Sequence, residues 1–200
     1  MKNINIGILA HVDAGKTTLT EQLLFCAGAI RQAGDVNTGT ARTDYLQVER
    51  ERGISVRSSA VSFSYGGMQI NIIDTPGHAD FAAEVERSLA VLDAAILIVS
   101  AVEGIQPRTE LLIDALIATK TAMMVVINKT DRQGSNVSRV LQELRDRWGI
   151  RPALLSHMEG EGSREVMIRS VTAAATAFHE LMELCCGLDD ALLLRYLDDK

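Results

Sequence analysis

The strongest constraint on the fold is an alternation between apolar runs of strand length and stretches with the period of a helix. Crossover helices must bury their apolar stripes against a sheet, so the pattern predicts an α/β fold. The sheet should be doubly wound and mainly parallel, and ligands should gather at its carboxyl ends. Strands are expected at residues 4–10, 70–74, 95–100 and 123–128, and helices at 17–27, 81–92, 111–119 and 137–148.

One pair of segments departs from this parallel pattern. Residues 61–65 and 68–72 alternate in side-chain character on either side of Gly66 and Gly67. A two-glycine turn between alternating segments is typical of a β-hairpin. The sequence therefore predicts one antiparallel edge strand.

Two stretches lack a clear strand-helix pattern. Residues 31–58 are polar and show no convincing period, and a connection of that length is usually functional or mobile. From residue 151 the alternation weakens: residues 158–162 are a predicted loop and residues 164–186 a predicted long helix. Gly187 is a plausible terminator of that helix, and residues 189–197 are a second, short helical candidate.

Composition and charge exclude several classes of protein. With 200 residues, 47% of them hydrophobic and 23% charged, the chain is typical of one globular domain. The formal net charge of −6 gives no general footprint for nucleic acid, so direct DNA binding is not expected. No signal peptide and no apolar run near the roughly 20 residues of a membrane span are evident, so we expect a cytoplasmic protein.

The loop after the first strand has the features of a phosphate-binding loop. It follows a strand and opens a helix, and Gly15 would let the backbone approach a phosphate closely. Lys16 offers a charge to the terminal phosphates, and the Thr17 hydroxyl can bind Mg²⁺. Ala10 replaces the usual first glycine, and an ordinary polar turn is the alternative interpretation. The candidate residues are Ala10, His11, Val12, Asp13, Ala14, Gly15, Lys16, Thr17 and Thr18.

A second candidate loop reads DTPGH and follows the apolar strand that ends near residue 74. Asp74 could hold Mg²⁺ through a water, and the amide of Gly77 could sense a γ-phosphate. A simple turn between strand and helix is the alternative. The candidate residues are Asp74, Thr75, Pro76, Gly77 and His78.

The third loop carries the argument for base specificity. Asn128, Lys129, Thr130 and Asp131 follow another apolar strand. The Asp131 carboxylate can accept from the N1-H and the 2-amino group of guanine, whereas adenine offers neither donor. The Lys129 stem can lie along the base, and Asn128 can tie this loop to the phosphate loop. Together the three loops predict a P-loop domain that binds GTP or GDP with Mg²⁺ and hydrolyses GTP.

The same motifs make the chain resemble the translational GTPases. The resemblance is carried by AHVDAGKTT at residues 10–18, RGIS at residues 52–55 and DTPGH at residues 74–78. Residues 39–44, 51–55 and 83–89 are similar, more narrowly, to the tetracycline-resistance ribosomal protection proteins, which are relatives of elongation factor G. The resemblance is dense up to about residue 150, fades, and returns near residues 189–197.

The resemblance implies a P-loop GTPase that the ribosome stimulates and whose full-length form releases tetracycline from the ribosome. Residues 31–58 would then be switch I, and Ser55 would occupy the place of a Mg²⁺-binding threonine. Asp13 would help to hold a monovalent cation.

The resemblance also assigns catalytic roles. His78 would position the attacking water, next to Gly77 and with Lys16 on the phosphates, and Val12 and Ile54 would form an apolar gate. A histidine just past a γ-phosphate sensor can reach that water on physical grounds. Without the resemblance, an exposed histidine at a helix start is an equal alternative.

The carboxyl end departs from the family pattern. Relatives carry a further strand with a Ser-Ala motif that contacts guanine, and this chain stops at Lys200 without one. We therefore expect residues 1–200 to be an incomplete GTP-binding domain with a family-variable insert at residues 151–187. Two alternatives stay open: a translocase like elongation factor G, and a nucleotide-binding module that is inactive in isolation.

Overall fold

Eleven helices and strands follow one another along the part of the chain that the computed structural model describes, which is residues 2–30, 59–74, 89–171, 176–187 and 193–194. In chain order they are β1 (Lys2–Ala10), α1 (Lys16–Cys26), β2 (Ser59–Tyr65), β3 (Met68–Asp74), β4 (Ala94–Ser100), α2 (Pro107–Ala118), β5 (Ala122–Asn128), α3 (Val137–Trp148), β6 (Ser156–Glu159), β7 (Met167–Ser170) and α4 (Thr176–Cys186).

Five strands form the main sheet, in the order β2-β3-β1-β4-β5. β1 is parallel to both β3 and β4, and β4 is parallel to β5, whereas β2 pairs antiparallel with β3 at the edge. The predicted mainly parallel sheet with one antiparallel edge strand is therefore confirmed. The register pairs Ile8 with Asp74 and Ser100 with Asn128, so the candidate loops leave the same edge of the sheet.

The core of this sheet lies at the carboxyl halves of β1 and β4. Ile8 and Leu9 in β1 and Leu97, Ile98 and Val99 in β4 are fully inaccessible to solvent. A strand that is buried on both faces needs a continuous apolar run, and that is how these strands read in the sequence. Because the core reaches the carboxyl edge, it supports the loops that begin there.

The hairpin β2–β3 forms around Gly66 and Gly67, as predicted. Both glycines have positive φ angles, 55° and 77°, which the tight hairpin turn requires and other residues rarely adopt. Across the pair, the Ser62 hydroxyl donates to Asn71 Oδ1 over 2.6 Å. This sheet face is therefore held by polar pairs where it meets solvent.

The chain divides into two compact units, Met1–Lys129 and Thr130–Lys200. The first contains the five-stranded sheet with α1 and α2. The second contains α3, the antiparallel hairpin β6–β7 and α4.

The predicted long helix over residues 164–186 is wrong in its first part. Residues Met167–Ser170 are β7, which pairs with β6, and α4 begins only at Thr176. Gly160 and Gly162, with φ of 77° and 81°, allow the turn that brings the two strands together. The predicted loop at 158–162 is correspondingly shorter, because Met158 and Glu159 belong to β6.

The end of α4 agrees with the sequence. Gly187 follows it, and its N-H donates to the carbonyl of Glu183 over 3.0 Å. In the second helical candidate, residues 189–197, the structure describes only Leu193 and Leu194, and both are helical.

None of the helices in the described part of the chain combines the length and the apolar character that crossing a membrane requires.

Candidate functional site

The phosphate-loop candidate connects β1 to α1 and depends on one glycine. Gly15 has a φ of 98°, in the left-handed region that side chains avoid. A Cβ atom at this position would also overlap the side-chain amide of Asn128. Ala10, which stands where the usual motif has glycine, is the last residue of β1, pairs with Ile98 and is buried.

The start of α1 offers a positive environment. Within residues 2–30, which the structure describes, the first turn of α1 has no acidic residue and its N-terminus has no side-chain cap. The side chains of Lys16 and Thr17 are buried there. The positive end of the helix dipole together with a lysine favours an anion at this point.

Asn128 joins the third candidate loop, residues 128–131 and the predicted base-reading loop, to the predicted phosphate loop. Its Nδ2 donates to the carbonyl of Ala14 over 2.9 Å, which is the tie that the sequence predicted. Its own carbonyl accepts from the N-H of Ala101 over 2.8 Å. Lys129 follows with a φ of 60°, a strained value for a residue other than glycine. Two loops that are 114 residues apart in sequence are thereby held together.

A buried histidine lies at the beginning of the phosphate loop. The Nδ1 atom of His11 lies 3.1 Å from the Thr109 hydroxyl, and its Nε2 atom lies 2.9 Å from Glu103 Oε2. A carboxylate can only accept, so Nε2 carries the proton that is shared with Glu103. In the sequence His11 is marked only as one residue of the predicted phosphate loop, and no motif marks Glu103 or Thr109.

The same carboxylate also faces the base-reading loop. Glu103 Oε1 lies 3.5 Å from Lys129 Nζ. Burial would raise the pKa of Glu103, but the hydrogen bond from His11 and the positive charge of Lys129 outweigh it and lower that pKa below its ordinary value. The signal that could have pointed to Glu103 is its place just after β4, the strand that lies between β1 and β5.

Asp131 belongs to the second unit, where the connection between β6 and β7 contacts the loop that carries Asp131. The N-H of Gly162 donates to the carbonyl of Thr130 over 2.8 Å, and Glu161 Oε1 accepts from the N-H of Val137 over 2.7 Å at the start of α3. A cleft of about 540 Å³ opens beside this loop. It is lined by Asp131, Arg132, Gln133, Gly162 and Arg164.

The described residues include only part of the predicted Mg²⁺ set. Thr17 is buried at the start of α1, and Asp74 is the last residue of β3, in register with Ile8 of the neighbouring β1. A hydroxyl and a carboxylate are oxygen ligands of the kind that Mg²⁺ prefers, so these residue types fit the ion. Among the remaining candidates, Ile54, Ser55, Thr75, Pro76, Gly77 and His78 lie outside the described residues.

Comparison with known proteins gives one consistent result. Residues 1–191 match the Elongation factor Tu GTP binding domain family. The chain is 44% identical over 196 residues to the tetracycline resistance protein TetP of Clostridium perfringens, covering 98% of this chain and 30% of that protein. It is 45% identical over 203 residues to the oxytetracycline resistance protein of Streptomyces rimosus, covering 100% of this chain and 30% of that protein.

A solved structure shares the fold. A crystal structure of a Thermus thermophilus protein superposes with a TM-score of 0.79 at 28% identity, covering 98% of this chain and 33% of that one. The chain thus spans about a third or less of the length of the proteins it matches. These matches confirm the resemblance to tetracycline resistance proteins and the P-loop GTPase fold.

Proposed function

The chain belongs to the Elongation factor Tu GTP binding domain family, and from that premise we propose that it binds GTP and GDP together with Mg²⁺ and hydrolyses GTP. The family description includes GTP binding. The metal ion, the hydrolytic step and the roles of individual residues are proposed here.

The observation that carries the proposal is the hydrogen bond from Asn128 Nδ2 to the carbonyl of Ala14, 2.9 Å long. It holds a phosphate-type loop and the start of a base-reading motif at one edge of a buried parallel sheet. Ligands of such sheets bind at that edge. A nucleotide is the ligand whose two ends match these two loops.

At the phosphate end, Lys16 would neutralise the β- and γ-phosphates while the start of α1 binds their oxygens. Thr17, Asp74 and Ser55 would hold Mg²⁺, which when bound neutralises charge that develops on the phosphate oxygens. Gly15 would keep the backbone close enough for these contacts.

At the base end, Asp131 would accept hydrogen bonds from the N1-H and 2-amino group of guanine. Adenine would leave this carboxylate unpaired, and that cost provides the discrimination. Lys129 would lie along the base plane.

For hydrolysis, His78 would orient the attacking water beside the Gly77 amide, and Val12 with Ile54 would restrict when His78 reaches it. Val12 is exposed in the predicted phosphate loop, with 40% of its surface accessible to solvent.

Relatives of this chain are named tetracycline resistance proteins. We therefore extend the proposal to a longer protein that acts on the ribosome in the cytoplasm, uses GTP there and releases tetracycline. A translocation assay and a tetracycline-rescue assay of translation with such a protein distinguish this role from that of a translocase.

The binding part is tested by titrating the chain with GDP, GTP and ATP, with and without Mg²⁺. We expect binding of GDP and GTP that Mg²⁺ strengthens, and little binding of ATP. The matched variant Lys16→Ala should bind all three weakly. A preference for ATP would contradict the proposal.

The catalytic part is tested by single-turnover GTP hydrolysis with ribosomes present. His78→Ala should slow hydrolysis by about 10²-fold or more while leaving GDP affinity near that of the wild type. Equal rates for the two proteins would remove the role proposed for His78. A wild-type chain that binds GTP without turnover would instead support a binding module.

A further inference from the structure

The backbone of Glu103 is fixed between the two ends of the proposed nucleotide site. Its N-H donates to the Ser100 hydroxyl over 3.2 Å, and its carbonyl accepts from the Gln106 side chain over 3.0 Å. The next residue, Gly104, donates its N-H to the Ser100 carbonyl over 2.8 Å. The loop after β4 therefore holds this carboxylate in a defined place, in spite of its partial exposure.

The two oxygens of Glu103 contact different loops. Oε2 accepts from the buried His11 ring at the start of the phosphate loop, at 2.9 Å. Oε1 faces the Lys129 ammonium in the base-reading loop, at 3.5 Å. The other nitrogen of His11 is held by the fully buried hydroxyl of Thr109 in α2. One carboxylate thus has a partner in each loop that a nucleotide would occupy.

We propose that Glu103 is a positioning residue that orders Lys129 and the phosphate loop before a guanine nucleotide binds, so that base and phosphate are recognised together. The inference rests on the proposed function, because its effect is on nucleotide affinity. Lysine loses much side-chain freedom when it is ordered, and a pre-formed ion pair removes part of that cost from the binding step. The two hydrogen bonds to the His11 ring likewise order the backbone of the phosphate loop before binding, which removes part of the entropic cost of binding.

The two contacts of Glu103 can be separated by mutation. Glu103→Gln keeps an acceptor for His11 but loses the charge that faces Lys129, so guanosine should bind more weakly while pyrophosphate binding changes little. Thr109→Val removes the second hydrogen bond of His11 and leaves Lys129 untouched, so the opposite pattern is expected. Glu103→Ala removes both contacts, and its GDP affinity should fall about tenfold.

The experiment measures GDP, guanosine and pyrophosphate binding to the 200-residue chain and its variants by calorimetry or competition. Asp93→Asn is the matched control, since Asp93 accepts a hydrogen bond from Asn5 N, 2.7 Å long, and lies at the amino end of β4, away from both loops. This variant should bind all three ligands like the wild type.

Nitrogen-15 spectra of His11 give a readout that does not depend on nucleotide. We expect Nε2 protonated in the wild type and a mixture of tautomers in Glu103→Ala.

The outcomes distinguish a failure of the role inferred for Glu103 from a failure of the proposed function. A folded Glu103→Ala chain with wild-type GDP affinity, or with an unchanged His11 tautomer, would overturn this inference alone. A wild-type chain that does not bind GDP would overturn the proposed function and this inference with it.

Discussion

The five-stranded sheet and the β6–β7 hairpin hold their loops in different ways. Leu97, Ile98 and Val99 of β4 are inaccessible to solvent, whereas every residue of β7 is exposed. The loops of the first region begin where a packed core ends, so apolar burial supports them. The loop before α3 is supported instead by polar contacts: Glu161 accepts a hydrogen bond from the N-H of Val137, and Gly162 donates one to the carbonyl of Thr130. The comparison indicates that core substitutions will affect the phosphate loop, and polar substitutions the surroundings of Asp131.

The largest difference should come from matched truncations in the two sheets. Leu97→Ala removes a fully buried side chain and should lower the free energy of unfolding by about 3 kcal/mol. Ile168→Ala, at 66% exposure, should cost roughly 0.5 kcal/mol or less. Urea unfolding followed by circular dichroism measures both. Equal costs would show that the hairpin packs against something substantial.

Glycine substitutions sharpen the comparison at the loops themselves. Gly15→Ala introduces a Cβ into the space of the Asn128 amide at a φ of 98°, and GDP affinity should fall about a hundredfold because the loop must move. Gly162→Ala meets only ordinary contacts, 3.7 Å from the Ser135 hydroxyl, so about 1 kcal/mol of backbone strain is expected. Calorimetric GDP titration and urea unfolding measure the two effects. Gly28→Ala controls for strain alone, since Gly28 has a positive φ and no described residue comes within 4 Å of a Cβ atom placed there.

The start of α3 tests the polar support of the second region. Asn136 Oδ1 accepts from the N-H of Arg139 over 2.8 Å, so Asn136→Ala should cost about 1 kcal/mol of stability. Glu161→Ala removes the acceptor of the Val137 N-H and should cost somewhat less, because that carboxylate is exposed. Thermal unfolding of the two variants and of the double variant checks these values. No loss in the double variant would mean that water replaces both acceptors.

The smallest effect is expected at Arg108, where the first region buries part of a guanidinium. Its Nε and Nη2 atoms are buried and have no hydrogen-bond partner among the residues that the structure describes, and burial lowers its pKa below the ordinary value. Arg108→Met keeps the stem and removes the charge, so stability should stay the same or rise by up to about 1 kcal/mol. Arg139→Met is the comparison in the second region, since Arg139 pairs with Glu143 on the surface of α3. A clear loss at Arg108 would show that its cation has an unrecognised acceptor.

Sequence reasoning succeeded where a pattern is local. The alternation of the apolar runs of β1, β4 and β5 with helical stretches predicts a mainly parallel sheet, because crossover helices must bury their apolar stripes against it. The turn at Gly66 and Gly67 and the helix end before Gly187 are also predicted correctly, because each depends on glycine at a single local position. The predicted start of α2 at residue 111 is too late, since the helix begins at Pro107, and proline is well suited to a first helical position.

Prediction from the sequence fails where the position of a residue depends on tertiary structure, and where a segment is exposed. Glu103 has no local motif, and its importance follows only from the strand order that puts β4 between β1 and β5. The hairpin β6–β7 has no buried residue, so it leaves no alternation of apolar and polar residues to read. The predicted helix over residues 164–186 therefore wrongly includes β7.

The strand order has one more consequence. Since β4 separates β1 from β5, the first and third candidate loops start about two inter-strand spacings apart, or roughly 10 Å. That interval comes from the hydrogen-bonding geometry of the peptide backbone, which side-chain substitution leaves unchanged. Substitutions can change the affinity for a ligand at this edge, but the length of ligand that can reach from the first loop to the third is set by the strand order and the strand spacing.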